Sequence, residues 1–237
     1  MSKTANLARR AVAESLGTAM LSAAVVGSGI MAERLSGGNI AVALLANTIA
    51  TGAALIALIL TFGGISGAHF NPAVTICDCL QGGLSRLDAL AYVAAQTVGA
   101  LAGVAAANTM FELPVFFASQ KIRTGSAQWF SEFAAAFGLL AVIWGCVRLR
   151  SATIVPFAVA AYITAAYWFT ASTSFANPAV TLARSMSDTF AGIRPADVPA
   201  FIVAQLFGAV AATMLFRWLI PVTTEKPEIE AVTKTVF

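Results

Sequence analysis

Two copies of the pentapeptide Asn-Pro-Ala-Val-Thr are the residues of this chain best suited to act on another molecule. They occupy positions 71–75 and 177–181. Asparagine is a preferred N-cap and proline is favoured at the first helical position, so each copy predicts the start of a helix. Each helix start offers carboxamide N–H donors and about half a positive charge. Such a site can hydrogen-bond a neutral polar molecule and repel a cation. The candidate residues are Asn71, Pro72, Ala73, Asn177, Pro178 and Ala179.

Both predicted helices are too short to cross a membrane. The apolar run after Pro72 fades near residues 81–83, and the run after Pro178 fades near residues 187–188. About ten residues at ~1.5 Å each cover ~15 Å, which is half of a ~30 Å hydrocarbon core. A helix that starts at this depth needs protein or a watery cavity at its N-terminus. Two of them are the pattern of half-helices that meet around a solute path.

The composition indicates an integral membrane protein. Of the 237 residues, 59% are hydrophobic and 11% are charged, whereas a soluble domain carries about 25% charged residues. The formal charge of +3 is spread along the chain, so no nucleic-acid partner is predicted. The N-terminal residues lack a short apolar core followed by a small-residue cleavage site, and we therefore predict no removable signal peptide.

The sequence contains no pattern typical of a catalytic or metal site. With a single histidine and no Ser/His/Asp arrangement, we predict that the protein is not an enzyme and uses no cofactor. The three cysteines do not form a disulfide framework. Cys77 and Cys79 are two positions apart on a helix and face different directions, so we interpret them as small apolar filler rather than metal ligands.

The apolar segments predict an all-α membrane fold of six transmembrane helices and two re-entrant half-helices. The six spans are predicted near residues 11–32, 40–61, 89–110, 127–147, 153–171 and 198–220. The segment 111–126 joins two halves, about 8–110 and 127–220, of one channel domain that covers residues 1–237. The tail 221–237 is polar.

The two halves correspond residue by residue, which indicates an internal repeat. Glu14 matches Glu132, and the Gln96–Gly99 segment matches Gln205–Gly208. Each half has three full spans, an odd number, so the second half must enter the membrane from the opposite side. With cytoplasmic termini, the inner side has nine basic residues against five outside, which favours this orientation. The inner set is Lys3, Arg9, Arg10, Arg86, Arg148, Arg150, Arg217, Lys226 and Lys234, and the outer set is Arg34, Lys121, Arg123, Arg184 and Arg194.

The paired Asn-Pro-Ala motifs, in matching places of two hydrophobic repeats, resemble those of the aquaporin (major intrinsic protein) family. The resemblance covers nearly the whole chain. It implies a passive channel for small neutral solutes in a lipid bilayer, with one pore in each subunit of a homotetramer. It also implies that the two asparagines meet at the bilayer centre, each capping its half-helix.

Three titratable residues near the motifs have two interpretations each. Glu14 and Glu132 lie inside predicted spans, where a charge costs a few kcal/mol. They could serve a proton-coupled carrier, whereas the resemblance implies that they accept hydrogen bonds from the re-entrant loops and support them. His69, two residues before Asn71, is either a pH gate or a structural residue of its loop.

One position departs from the family pattern. Ordinary aquaporins have an arginine three residues after the second motif's asparagine, and here that residue is Val180. The other expected filter positions are Thr51, Ala165 and the carbonyl of Ser174. Arg184 lies one turn beyond Val180 and is expected to face the outer vestibule.

A filter of Thr51, Ala165 and Val180 is expected to be wide and uncharged, and to pass neutral solutes larger than water. The sequence after Val180 resembles a bacterial aquaglyceroporin subgroup linked to arsenic-resistance operons, which implies transport of arsenite and methylated arsenicals as well as glycerol through an inner membrane. Three alternatives stay open: an ordinary water channel, a proton-coupled carrier that uses Glu14 and Glu132, and a structural or sensory protein with a shut pore.

Overall fold

All the regular secondary structure in the described part of the protein is helical. The computed structural model describes residues 5–220, so the predicted polar tail lies outside the described residues. These residues form eight α-helices and two short 3₁₀ turns, with no strand among them. The α-helices are α1 Leu7–Leu35, α2 Ile40–Ser66, α3 Pro72–Leu80, α4 Arg86–Met110, α5 Ser126–Leu149, α6 Val155–Phe169, α7 Pro178–Arg184 and α8 Val198–Leu219.

Six helices are long and apolar enough to cross a membrane, and α3 and α7 are the two short ones. This arrangement confirms the predicted fold class. The predicted centres of the spans were right, but α1 and α2 extend beyond the predicted 11–32 and 40–61. The extra turns come from the N-cap Asn6, whose Oδ1 accepts a hydrogen bond from the amide of Arg9 at 3.0 Å, and from Gly67, whose left-handed φ of 93° ends α2.

The most extensive helix pairings are α1 with α4 and α5 with α8, the corresponding pairs of the two halves. Each pairing depends on a glycine. A methyl group on Gly99 would overlap the carbonyl oxygen of Ser15, and one on Gly208 would overlap that of Phe133. Small residues let two helix backbones approach closely in this way. The two contacts hold α1 and α5 at fixed depths beside the short helices.

We expect Gly99→Ala to lower thermal stability, because the added methyl group must push α1 away from α4. Overpacking of this kind costs about 1–3 kcal/mol. Gly64→Ala is the matched control, since a methyl group there meets no heavy atom within 4 Å. The melting temperature of each variant in detergent is the measurement. Equal melting temperatures for the two variants would contradict the proposed close contact.

Candidate functional site

The two short helices begin against each other. The Nδ2 of Asn71 donates to the carbonyl oxygen of Ala176 at 2.7 Å, and the Nδ2 of Asn177 donates to that of Phe70 at 2.8 Å. The Oδ1 atoms of the same side chains cap their own helices, accepting from Ala73 at 2.9 Å and from the matching amide in α7 at 3.1 Å. A carboxamide has two N–H donors, so each asparagine keeps one for another molecule.

The loops before α3 and α7 have the same unusual backbone. Ala68 and Phe70 have φ angles of 50° and 49°, and the corresponding Ser174 and Ala176 have 50° and 46°. Left-handed backbone costs roughly 1–2 kcal/mol for each such residue. Within residues 5–220, no donor is bonded to the carbonyl oxygens of Ala68 or Ser174. The loops therefore carry strain, and they keep free acceptors beside the helix starts.

Glu14 and Glu132 hold these loops. Glu14 accepts hydrogen bonds from the amides of His69 and Phe70, at 3.0 and 2.7 Å, and from Ser66 Oγ at 2.6 Å. Glu132 accepts from the amides of Phe175 and Ala176, both at 2.9 Å. Both carboxylates are completely buried. Their contacts are those expected of groups that offset the loop strain.

Two glutamines complete this support, and sequence reasoning noted them only as a sign of the repeat. Gln96 Nε2 donates to Glu14 and to Thr75 Oγ1, both at 2.8 Å. Gln205 Nε2 donates in the same way to Glu132 at 2.6 Å and to Thr181 Oγ1 at 2.8 Å. A polar residue in the same place of two apolar spans was the signal that could have identified them.

A cavity of about 230 Å³ passes both helix starts. Its wall contains Asn71 and Asn177 together with the loop residues that precede them. Most of the remaining wall consists of apolar side chains, among them Leu21, Val25, Leu55, Ile59, Val74, Leu139, Ile143, Trp144, Val147, Val155, Val159 and Ile163. Such a wall provides few polar contacts, and these are concentrated at the asparagines and the loops.

The cavity has a charged residue near each end. Asp78 in α3 and Arg184 at the end of α7 both line it. Asp78 lies near the start of α4, because α3 leads directly into α4. Arg184 lies near the other end of α4, because Ser187 Oγ, just after α7, donates a 2.8 Å hydrogen bond to Oδ1 of Asn108 in the last turn of α4. Since α4 has 25 residues, its two ends lie about 37 Å apart. We call the two ends of the cavity the Asp78 end and the Arg184 end.

Thr51, Ser174 and Val180 lie on the cavity wall near the Arg184 end. Thr51 Oγ1 lies 3.3 Å from the hydroxyl of Tyr167, which also lines the cavity. Ala165 is exposed on its helix and does not line the cavity, so its assignment to the filter was wrong. The cause is the loop after α6: the helix ends at Phe169, and counting by family spacing missed the inward-facing position by two residues.

Arg184, which was expected to face the outer vestibule, lines the cavity at this end. Its side chain is buried, at 2% exposure, and its Nε donates to the carbonyl oxygen of Ala191. The guanidinium carbon lies 3.3 Å from the centre of the Phe175 ring. A fixed cation is therefore present at this end of the cavity.

At the Asp78 end, His69 contacts both a hydroxyl and a carboxylate. Its Nδ1 lies 3.1 Å from Thr75 Oγ1, and its Nε2 lies 3.8 Å from Asp78 Oδ2. The ring packs edge-on against Tyr92. The backbone amide of His69 donates to Glu14 in the supported loop, and the residue also lines the cavity. Asp78 lies between the two cysteines, and sequence reasoning assigned it no role.

The segment 111–125 covers the Arg184 end with two further cations. Lys121 Nζ donates to the carbonyl oxygen of Phe190 at 2.6 Å, and Arg123 donates to Gly192 and Ser172 at 2.8 and 2.9 Å. Burial lowers the pKa of Lys121 to about 8 and the pKa of Arg123 to about 10. Both residues have backbone partners and tie this segment to the loops around α7.

The described residues contain no group of three or more His, Cys, Asp or Glu side chains placed to hold a metal ion. Cys77 is buried and Cys79 is partly buried, and both are free thiols.

Comparison with known proteins identifies the family. Residues 1–167 and 148–236 each match the sequence profile of the major intrinsic protein family. The chain belongs to the major intrinsic protein family. This membership makes it a membrane channel protein rather than an enzyme.

Two relatives and one solved structure show how close the match is. The chain is 59% identical to Aquaglyceroporin AqpS of Rhizobium meliloti (strain 1021) over 215 residues, which is 91% of each chain. It is 27% identical to Aquaporin Z of Bradyrhizobium diazoefficiens over 89% of this chain and 93% of that one. The structure of the aquaglyceroporin from Plasmodium falciparum superposes with a TM-score of 0.71 at 21% identity, covering 91% of this chain and 98% of that chain. The superposition shows the same fold.

Proposed function

We propose that this protein is a passive channel for small uncharged solutes: glycerol-like polyols, arsenous acid and its methylated derivatives, and water. The observation that supports this best is that one cavity is lined by both asparagines that cap the short helices. A sequence identity of 59% to a protein named an aquaglyceroporin supports the polyol part of the proposal.

The chemistry of the cavity suits a neutral triol. Each asparagine keeps one N–H donor, and the loop carbonyls at Ala68 and Ser174 keep their acceptor capacity. A hydroxylated solute can use donors and acceptors in turn while its carbon or arsenic atom passes apolar side chains. A cation meets two positive helix ends in a site with little water, which costs several kcal/mol.

We infer a wide filter from Val180, which stands where ordinary aquaporins have arginine. The shorter side chain leaves room at this level of α7 for a solute larger than water. Arsenous acid is uncharged and similar in shape to glycerol at neutral pH, so a filter that passes one admits the other. The preference for arsenicals rests on the resemblance to the arsenic-linked subgroup.

An ordinary water channel is the second candidate. The hydrogen-bonded hydroxyls of Thr51 and Tyr167, on the packed helices α2 and α6, form a polar patch on the cavity wall that suits water. Exclusion of glycerol by the channel would support this candidate. The carrier alternative has less support, because Glu14 and Glu132 are fully buried among hydrogen-bond donors and do not line the cavity.

We further propose one channel domain over residues 1–237, with halves 8–110 and 127–220 inserted in opposite directions. The protein would form a homotetramer in a bacterial inner membrane with both termini in the cytoplasm. Two of the five basic residues assigned outside, Arg123 and Arg184, are buried. The orientation rests on the count of nine basic residues inside against five outside, since the positive-inside rule counts loop residues whether or not they are buried after folding.

Stopped-flow flux through purified protein in liposomes tests the proposed function. We expect water, glycerol and arsenous acid all to cross faster than in protein-free vesicles. Water flux without glycerol flux would favour the water channel. Glycerol uptake that follows an imposed pH gradient would favour the carrier, and no flux of any solute would indicate a shut pore.

Cysteine labelling tests the orientation. In a background without Cys77, Cys79 and Cys146, we expect Glu33→Cys to react with a membrane-impermeant maleimide in intact cells and Arg86→Cys to react only after lysis. Both positions are exposed, and they lie at opposite ends of the bundle. The reverse pattern would place the termini outside.

A further inference from the structure

Arg184 lies on the same face of α7 as Val180, one helical turn further from the helix start. Residues four apart on a helix are neighbours on its surface. Side chains on a helix also tilt toward its N-terminus, so the long Arg184 side chain leans back toward Val180 and the cavity. Both residues line the cavity. Arg184 therefore places a positive charge on the cavity wall one helical turn from Val180, the position at which ordinary aquaporins have an arginine.

The Arg184 guanidinium is held firmly on one side. Its Nε donates to the carbonyl oxygen of Ala191, and its plane lies against Phe175 with the central carbon 3.3 Å from the ring centre. Arg123 approaches the same ring, at 4.9 Å. An aromatic face attracts a cation, and the attraction is stronger when water is excluded. These contacts fix the charge beside the path.

The other side of the guanidinium is unused. Within residues 5–220, no atom hydrogen-bonds to its two terminal nitrogens and no carboxylate lies within 4 Å of it. The terminal nitrogens are not among the fully enclosed polar atoms without partners, so they reach the open space of the cavity. A buried unpaired cation at membrane depth is costly, and such residues usually act on what passes them.

We propose that Arg184 is the ion-excluding and solute-orienting residue at this end of the channel. Its positive charge repels cations, hydronium included, before they reach the asparagines. Its terminal N–H groups donate hydrogen bonds to oxygen atoms of a neutral solute and turn that solute as it enters. The proposal deepens the proposed channel function and rests on it.

A purely structural role is the competing explanation, since Arg184 also ties α7 to Ala191. Substitution by lysine separates the ion-excluding role of Arg184 from the roles that need its guanidinium donors. Lysine keeps the charge but loses the planar set of donors and the Nε contact. Charge-based exclusion therefore survives Arg184→Lys, whereas the orienting hydrogen bonds do not. Glutamine removes the charge and keeps some hydrogen bonding.

The test measures cation leak and neutral flux in the same liposomes. We expect Arg184→Gln to raise proton and sodium leak by about tenfold or more, since a unit charge a few ångströms from the path changes a barrier by this order. Arg184→Lys should keep the wild-type leak but lower the ratio of glycerol to water flux. Arg34→Gln is the control, because Arg34 is an exposed arginine at the same end of the bundle and does not line the cavity.

An unchanged leak in folded Arg184→Gln would overturn the proposal, whether or not glycerol passes. If Arg184→Gln does not fold, Arg184→Lys decides: a cation leak in this variant, or an unchanged flux ratio, would overturn it. The leak measurement can fail or succeed independently of the proposed polyol transport. A wild-type protein that excludes glycerol refutes the polyol channel, yet a leak that appears in Arg184→Gln alone still supports the ion-excluding role.

Discussion

Replacing Glu132 by alanine is expected to remove most of the folded protein. The change leaves three buried donors without their acceptor: the amides of Phe175 and Ala176 and the Nε2 of Gln205. Each stranded donor costs ~1–3 kcal/mol, and a typical protein is stable by only about 5–15 kcal/mol. The loop strain at Ser174 and Ala176 then loses the group that offsets it. Glu14→Ala should act in the same way on the first loop.

Fluorescence-detected size exclusion of fusion proteins measures this loss. Glu33→Ala is the matched control, because Glu33 is an exposed glutamate near the end of α1 and should leave the folded yield unchanged. The isosteric Glu132→Gln should have an intermediate yield, since its amide oxygen can accept from one loop amide while its NH₂ group opposes the other. Normal folding of both alanine variants, combined with loss of pH-dependent transport, would show that the carrier interpretation is correct.

The helices followed from local features of the sequence. Hydropathy located the long spans, and the Asn-Pro pairs located the starts of α3 and α7, because capping depends on neighbouring residues only. The ends were less predictable. The second half-helix was expected to reach residues 187–188, but it ends at Arg184, and Ser185 to Ser187 form turns instead.

The cavity wall depended on features that are not local. Counting from the first motif placed Thr51 on the wall because α2 is one uninterrupted helix up to the loop. The same counting failed for Ala165, since the loop between α6 and the second motif has its own length. The counting placed Arg184 one turn beyond Val180, but its burial against Phe175 and Ala191 was not predictable, because both partners lie in loops outside α7.

Asp78 and the two glutamines illustrate a second limit. Asp78 was considered only as a neighbour of Cys77 and Cys79. Its position on the cavity wall, at the end away from Arg184, was not predicted. Gln96 and Gln205 were recognised as equivalent, but their bonds to Glu14 and Glu132 cross between helices. Contacts of this kind depend on how helices pack, which the order of residues does not reveal directly.

Val180→Arg is expected to change the size cutoff of the channel more than any other single substitution. Val180 lines the cavity on the face of α7 that also presents Arg184. A long side chain here occupies space near Thr51 and Tyr167, and it places a second cation one turn from the first. Like charges four residues apart repel each other, so the two guanidiniums should spread apart and narrow the path further.

The expected order of effects follows from size. Methylated arsenicals should slow most, glycerol and arsenous acid less, and water least, because arginine at this place is compatible with water flow in the family. Paired fluxes of water, glycerol and a methylated arsenical in liposomes of matched protein content measure the cutoff. Val180→Leu is the control, as it adds one methylene group without charge and should change the fluxes little. If Val180→Arg left the flux ratios of the three solutes at their wild-type values, the size cutoff would be unchanged, Val180 would not line the constriction, and its assignment to the filter would be wrong.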